Sequence, residues 1–349
     1  MRAEKTVDLA IVKENYRKIR EKVGKRVICV VKANAYGHGL YEVAKALDAE
    51  GGFAVATAEQ GLEAVEAVKG KRPVLMLGRA EKDEVGKLVE NGVSLTVYEK
   101  EVLLYVDKTA KRLNKRASVH IAVNTGMNRI GASERESKEI AAFAKSLNNI
   151  SVDGIYSHFY DADDSRARIS QLERFKRVIT GENIFSHIAA TSGIKYPDCI
   201  LDGARVGLGL YGYGLDYVRP SMGVKCRVVA KNRLIEGDIV GYSAKFVAKR
   251  PTVCLTLSMG YADGVPRSFS GGEVIINGEK RKIIGNVCMD CCFAEGDEKV
   301  RVGDEAVFIG ENGGVSSSAE DLAGFSGTIS YEILCGFKRL KTRYCDKKS

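Results

Sequence analysis

Eight short β-rich runs, most of them separated by helical segments of about ten to fifteen residues, constrain this chain more than any other feature. The runs lie near residues 27–31, 53–56, 73–77, 94–97, 118–123, 152–156, 183–187 and 201–206. Segments 40–49, 59–68 and 134–147 carry helical spacing between them. A first helix over 8–23 sets Leu9, Val12, Tyr16, Ile19 and Val23 on one face. This alternation fits a parallel (β/α)8 TIM barrel better than an open doubly wound sheet. After Pro220 the runs shorten, as at 224–229, 253–257, 273–276, 282–284 and 306–309, and Asn277-Gly278 and Glu311-Asn312-Gly313-Gly314 read as turns. The expectation is an α/β barrel over 1–220 followed by a mainly β domain over 221–349, with one late helix near 318–324.

Composition narrows the function classes. The chain has 349 residues, 45% hydrophobic and 28% charged, with no stretch approaching the roughly 18 apolar residues of a membrane span. MRAEKTVDLA lacks the apolar core of a signal peptide. Nine cysteines without a framework spacing read as reduced thiols, hence a cytoplasmic setting. The one tight group, Cys288-Met289-Asp290-Cys291-Cys292, lies in a β-like run, and with four histidines in the chain no metal is expected. Buried strand cysteines are the plainer reading. The net charge of +9 comes from basic residues interleaved with acids, which suits anionic small molecules at least as well as nucleic acid. The longest basic cluster, 338–348, is expected to be a solvated end.

The chemistry-bearing stretch is Ile28-Cys29-Val30-Val31-Lys32-Ala33-Asn34-Ala35-Tyr36-Gly37-His38-Gly39. A residue at the C-terminal end of a barrel strand faces the active site. A lysine there among apolar neighbours is desolvated, which favours the neutral amine that forms an imine. Position alone also admits a lysine that snorkels outward and a Tyr36 packed in a core, and His38 is read as a loop residue.

As a string, VVKANAYGHG closely resembles the cofactor-lysine motif of the alanine racemases, pyridoxal 5'-phosphate enzymes built as a barrel plus a β domain. Further motifs follow in the right order along nearly the whole chain. The resemblance implies that Lys32 carries the cofactor as a Schiff base and is one of two catalytic bases, and that Tyr36 meets the phosphate. Thr125-Gly126-Met127-Asn128-Arg129-Ile130-Gly131 is similar to the loop whose arginine, here Arg129, approaches the cofactor's phenolic oxygen and the substrate carboxylate. His158 would lie against the cofactor ring. His187-Ile188-Ala189-Ala190-Thr191-Ser192 resembles H-x-A-N-S, so Thr191, with Ser192 beside it, would bind phosphate. Arg205 would face the pyridine nitrogen, and Gly207 in the following glycine run would offer backbone N–H groups to phosphate. Arginine only donates hydrogen bonds, so it should leave that nitrogen unprotonated.

In the second domain, Val240-Gly241-Tyr242-Ser243 resembles the segment with the second base, Tyr242, which acts across a homodimer interface. Tyr261, in Gly260-Tyr261-Ala262-Asp263-Gly264, follows at the family's spacing, with Arg267 beyond it along the access corridor. Met289 and Asp290 match a pair lining the partner's pocket, and Tyr331 a pocket tyrosine on the phosphate side. An unperturbed tyrosine, with a pKa near about 10, is a poor base at neutral pH, so Tyr242 requires cationic or histidine surroundings.

Two positions depart from the family pattern. Ala122 stands where a carbamate-bearing lysine is common, leaving Arg129 to be steered otherwise, by Asn124 or a bound anion. Asn286 replaces an arginine of the corridor. The resemblance implies interconversion of L- and D-alanine, supplying a D-amino acid for peptidoglycan. Serine racemisation, as in the similar vancomycin-resistance racemases, is the near alternative, and a non-catalytic cofactor carrier on the same barrel is a more distant one. Such carriers generally lack the β domain that here bears Tyr242.

Overall fold

The structure, a computed structural model, describes residues 3–181 and 183–346. They form two compact units, one of residues 12–35 and 40–219, the other of the described residues among 1–11, 36–39 and 220–349. β1 (Ala3–Asp8) opens the chain in the second unit, and the helix Leu9–Val23 leads into the first.

Among the described residues of the first unit, eight parallel strands close into a barrel: β2 (Arg26–Val30), β3 (Phe53–Val55), β4 (Val74–Met76), β5 (Val93–Val97), β6 (Ala117–Ala122), β7 (Ile150–Tyr156), β8 (Ser186–His187) and β9 (Gly203–Val206). Closure is made by β9 against β2, with Val27 opposite Ala204 and Cys29 opposite Val206. Every residue of β3, β4 and β5 is buried. Parallel barrel strands are covered on both faces, which is why they read as near-continuous apolar runs. The helices start where the sequence supplies caps: Thr57 accepts from the Gln60 N–H, Ser133 and Glu136 form a capping box, and the Asp164 side chain accepts from Arg166 and Ala167.

The second unit holds β10 (Met222–Leu234), β11 (Ile239–Val240), β12 (Phe246–Val247), β13 (Thr252–Leu257), β14 (Glu273–Ile276), β15 (Glu279–Ile284), β16 (Cys292–Gly296), β17 (Glu305–Asn312), β18 (Val315–Ser317) and β19 (Thr342–Cys345). Its sheet runs β18-β17-β14-β15-β16-β13-β10-β1-β19, and β10 also pairs with β17, so six of these strands return on themselves. The Asn277-Gly278 turn joins β14 to β15 with both residues at positive φ, 51° and 78°, as a two-residue hairpin loop requires. The late helix, Ala319–Ser326, stops at Gly327 in the left-handed region.

Four features differ from the sequence reading. The first strand belongs to the β unit, because β1 pairs antiparallel with β10 and parallel with β19. The basic C-terminal stretch is not simply a solvated end: Thr342–Cys345 make up β19, while Lys347 and Lys348 lie outside the described residues. Of the cysteine group, Cys292 is in a strand, whereas Cys288 to Cys291 form a turn closed by the Cys288 N–H on the Cys291 carbonyl at 2.9 Å. A second late helix, Ser330–Gly336, is too short for its spacing to declare itself. No helix among the described residues is long and apolar enough to cross a membrane.

Candidate active site

Lys32 lies two residues beyond β2 and begins an unusual turn. Ala33, Asn34, Ala35 and Tyr36 all have φ between 52° and 55°. For L residues this left-handed backbone costs about 1–2 kcal/mol each, and strain of this kind gathers at functional sites. It is held from several sides. The Ala35 N–H donates to the Val31 carbonyl at 2.8 Å, the Tyr211 hydroxyl donates to the Val30 carbonyl at 3.1 Å, and the Leu40 N–H donates to Asn34 Oδ1 at 2.8 Å. Lys32 itself is half-buried.

Three neighbouring strands of the barrel, β7, β8 and β9, converge at Arg205. Its guanidinium, 3% exposed, donates to the Ser157 carbonyl at 2.6 Å, to the His187 carbonyl at 3.1 Å, to His158 Nδ1 at 3.2 Å and to His187 Nδ1. It also lies 4.8 Å over the Tyr156 ring, which stacks on His187. Burial, with Arg129 nearby, brings Arg205 down to about 10, so it stays charged at neutral pH. Burial and then the Arg205 charge push His158 down to about 3 and His187 well below the usual range. Guanidinium groups only donate, so both imidazoles must accept at Nδ1 and carry their proton on Nε2. His187 Nε2 then donates to His120 Nδ1 at 3.2 Å, and burial holds His120 at about 4. The site therefore surrounds one buried cation with neutral histidines.

His120 and His187 went unassigned in the sequence reading, though a signal existed. Gly154 opposes His120 in the β6–β7 register, and a Cβ there would overlap the His120 ring. A glycine inside a strand marks such a close approach. The strand that carries Arg205 is buried throughout.

These histidines predict acid sensitivity. The unfolded chain takes up their protons below about pH 6.5, whereas the folded chain resists until about pH 4, so stability falls as pH drops through that window. For His120 alone the expected loss between pH 7 and pH 5 is about 2 kcal/mol. His120→Asn keeps an acceptor for His187 and removes the titration. Denaturant midpoints at the two pH values should draw closer in the variant by that amount, and equal pH dependence in both proteins refutes the assignment.

After β8 and β9 the loops offer hydroxyl and amide donors. The Thr191 hydroxyl is buried and accepts from the Gly209 N–H at 3.2 Å, with half-buried Ser192 next in the chain and Gly207 buried at the end of β9. Gly209 has no room for a side chain, since a Cβ would lie 2.9 Å from Leu215 and 3.2 Å from Val206. Small residues, hydroxyls and amide N–H groups after the last two strands suit a phosphate, the place where such barrels commonly hold one. Across the mouth, the 124–131 loop is folded by Asn124, whose Oδ1 accepts from the Gly126 and Asn128 N–H groups at 3.0 and 3.1 Å and whose amide donates to Asn128 Oδ1 at 2.9 Å. Arg129 is exposed at the end of that loop, and Ala122 is buried beneath it. Asn124 thus shapes the loop backbone rather than pairing with the guanidinium.

The second unit carries two clusters. In the first, the Tyr36 and Tyr331 rings lie 5.8 Å apart, and burial followed by the neighbouring Tyr331 raises Tyr36, keeping it a protonated donor. His38 is in a loop, as expected, but is fully buried there, with Nδ1 3.1 Å from the Tyr36 carbonyl. In the second cluster the Tyr261 and Ala262 N–H groups donate to the Cys288 and Met289 carbonyls, both at 3.0 Å. That pairing brings Gly260–Ala262 beside Met289 and Asp290. Asn286 Nδ2 donates to the Tyr242 carbonyl at 2.9 Å, fixing a turn in which Ser243 and Ala244 have φ of 61° and 48°. Tyr242 is 72% exposed, as are Met289 at 55% and Tyr261 at 42%, so this cluster faces outward. Tyr261 and Arg267 line a cavity of about 640 Å3 together with Thr328, Glu332 and Cys335.

Comparison with known proteins gives a consistent result. Residues 7–214 match the family profile "Alanine racemase, N-terminal domain", and residues 221–344 match "Alanine racemase, C-terminal domain". The chain is 36% identical to an alanine racemase of Carboxydothermus hydrogenoformans, over 94% of this chain and 95% of that one. It is 35% identical to an alanine racemase of Methanococcus maripaludis, over 94% of each. Among solved structures, the alanine racemase of Clostridium difficile 630 superposes with a TM-score of 0.91 at 29% identity, covering 100% of this chain and 97% of that one. The alanine racemase of Bacillus anthracis, solved with bound L-Ala-P, gives 0.88 at 28% identity, covering 98% and 95%.

Proposed function

Because this chain belongs to the alanine racemase family, we propose that it interconverts L-alanine and D-alanine, with Lys32 and Tyr242 of the partner subunit as the two bases. Members of the family depend on pyridoxal 5'-phosphate and act as homodimers with shared active sites. When bound, that cofactor withdraws electrons from the substrate's Cα–H bond and so acidifies it. What supports the reading is one set of groups on the C-terminal ends of a single barrel's strands: the Lys32 amine, the buried Arg205 cation among neutral histidines, and the Thr191–Gly209 cradle. These residues fit the group. The cradle suits its phosphate, and a donor-only guanidinium suits an unprotonated ring nitrogen.

Lys32 would hold the cofactor through Nζ. Thr191, Ser192, Gly207, Tyr36 and Tyr331 would bind the phosphate, His158 would lie against the ring, and Arg129 would take the substrate carboxylate. Lys32 would move a proton at one face of Cα, and Tyr242 of the partner subunit would move one at the other. Arg205, keeping its protons, would leave the ring nitrogen unprotonated and so limit electron withdrawal, which suits return of a proton to the same carbon. Met289, Asp290, Tyr261 and Arg267 would line the approach to the partner's pocket. The chain then divides functionally near 220, with the barrel carrying the cofactor lysine and the β unit supplying the second base. A cytoplasmic supply of D-alanine for peptidoglycan is the role we assign.

Serine is the competing substrate. Tyr331, 41% exposed and beside Tyr36, would occupy the space a hydroxymethyl group needs. One such group shifts a pocket's preference by about 10–200-fold, so L-alanine should exceed L-serine in kcat/KM by that order, and L-lysine by more. Comparing turnover of the three decides it, and equal or reversed alanine and serine values overturn the assignment.

A further inference from the structure

Lys5 is the one fully buried lysine among the described residues. It alternates with Val7 on the covered face of β1, and both are fully buried. Removing an ammonium group from water costs several kcal/mol even after relaxation, so such a group persists only where it is held by acceptors. Lys5 Nζ donates to the Gly37 carbonyl at 2.6 Å and to the Phe337 carbonyl at 3.2 Å. Phe337 caps the C-terminal end of the Ser330–Gly336 helix, where exposed carbonyl dipoles favour a cation. Burial brings Lys5 down to about 8, so the ammonium form still predominates near neutral pH.

The segment it grips is pressed from two further sides. A Cβ on Gly37 would run into the Leu334 carbonyl, and one on Gly39 into the Tyr344 hydroxyl, with both glycines at positive φ. Residues 36–39 are thus seated between the Ser330–Gly336 helix and β19, and the Lys5 ammonium fastens the segment to that helix. Tyr36 is at one end of the segment and Tyr331 is on the helix, with their rings 5.8 Å apart.

We propose that Lys5 is a positioning residue for cofactor binding: by tying the Gly37 carbonyl to the Phe337 carbonyl it sets Tyr36 and Tyr331 as one rigid pair of phosphate donors. This rests on the reading that Tyr36 serves the phosphate. A lysine that merely braced β1 would stabilise the unit without touching phosphate affinity, and that difference can be measured.

The test is the ratio of affinities of apoenzyme for pyridoxal 5'-phosphate and for pyridoxal, which lacks the phosphate, read from visible absorbance in wild type, Tyr36→Phe, Lys5→Met and the double variant. Loss of one hydrogen bond to a charged group should lower the ratio about tenfold in Tyr36→Phe and about as much in Lys5→Met. The double variant should lose little more than either, because the two act on one contact. Lys5→Gln, which keeps an N–H donor without the charge, replaces Lys5→Met if the latter does not fold. A lowered ratio in Tyr36→Phe with an unchanged ratio in the Lys5 variant overturns the proposal and leaves the Tyr36 reading intact. An unchanged ratio in Tyr36→Phe overturns both. Fully additive losses in the double variant also overturn the proposal, since Lys5 would then act elsewhere than through Tyr36.

Discussion

Lys32→Ala should abolish the visible absorbance of covalently held cofactor and lower racemisation by at least about 10^4-fold, because in the proposed mechanism one side chain would supply both the anchor and one of the two bases. Val30, Val31 and the Tyr211 hydroxyl hold the preceding backbone, and a left-handed turn follows, so the substitution removes the amine without removing what positions it. Proton exchange at Cα should fall together with racemisation. An added small primary amine should restore part of both, since it replaces the missing group in a site that is otherwise whole. Absorbance and turnover retained in Lys32→Ala would sink the assignment.

Tyr242→Phe should produce a different signature. Racemisation should fall by about 10^2 to 10^4-fold, but exchange of the α-proton with deuterated water should fall much further for L-alanine than for D-alanine. The asymmetry would follow from the proposed two bases on opposite faces, each serving one enantiomer. Tyr242 is 72% exposed in the single chain, so its hydroxyl is open to a partner. In the proposed dimer it would serve the partner subunit's site. Mixing Tyr242→Phe with Lys32→Ala protomers should therefore restore a fraction of the activity, since each mixed dimer contains one site with both bases. Equal loss of exchange for the two enantiomers, or no recovery on mixing, refutes the assigned roles.

The barrel was legible because its strands are short, apolar and regularly spaced. Each of the eight runs expected between residues 27 and 206 overlaps an observed strand, although the run at 183–187 shrinks to Ser186–His187. Burial on both faces forces that apolar composition, so composition alone points back to the strand. The helix Ser330–Gly336 and strand β19 were not legible, since seven and four residues are too few to display a period. Lys5 was invisible for a related reason. A lysine near a chain terminus reads as solvated, and only its pairing beside β10 and β19 turns it inward.

The candidate site divides in the same way. Lys32, Arg205 and Tyr242 stand in strings specific enough to be recognised in order along the chain. The sequence by itself determined the family and the order of its motifs, and so which lysine we propose for the cofactor, because those depend on which residues follow one another. Only the tertiary structure decided that Arg205 is buried among three histidines held neutral, that Asn286 fixes the Tyr242 turn, and that residues 36–39 are clamped by an ammonium group. Those properties depend on desolvation and on hydrogen bonds between residues tens to hundreds of positions apart: His187 and Arg205 are 18 positions apart, Tyr242 and Asn286 are 44, and Lys5 and Phe337 are 332. No local pattern encodes such partners, because burial and charge are set by what the folded chain brings close.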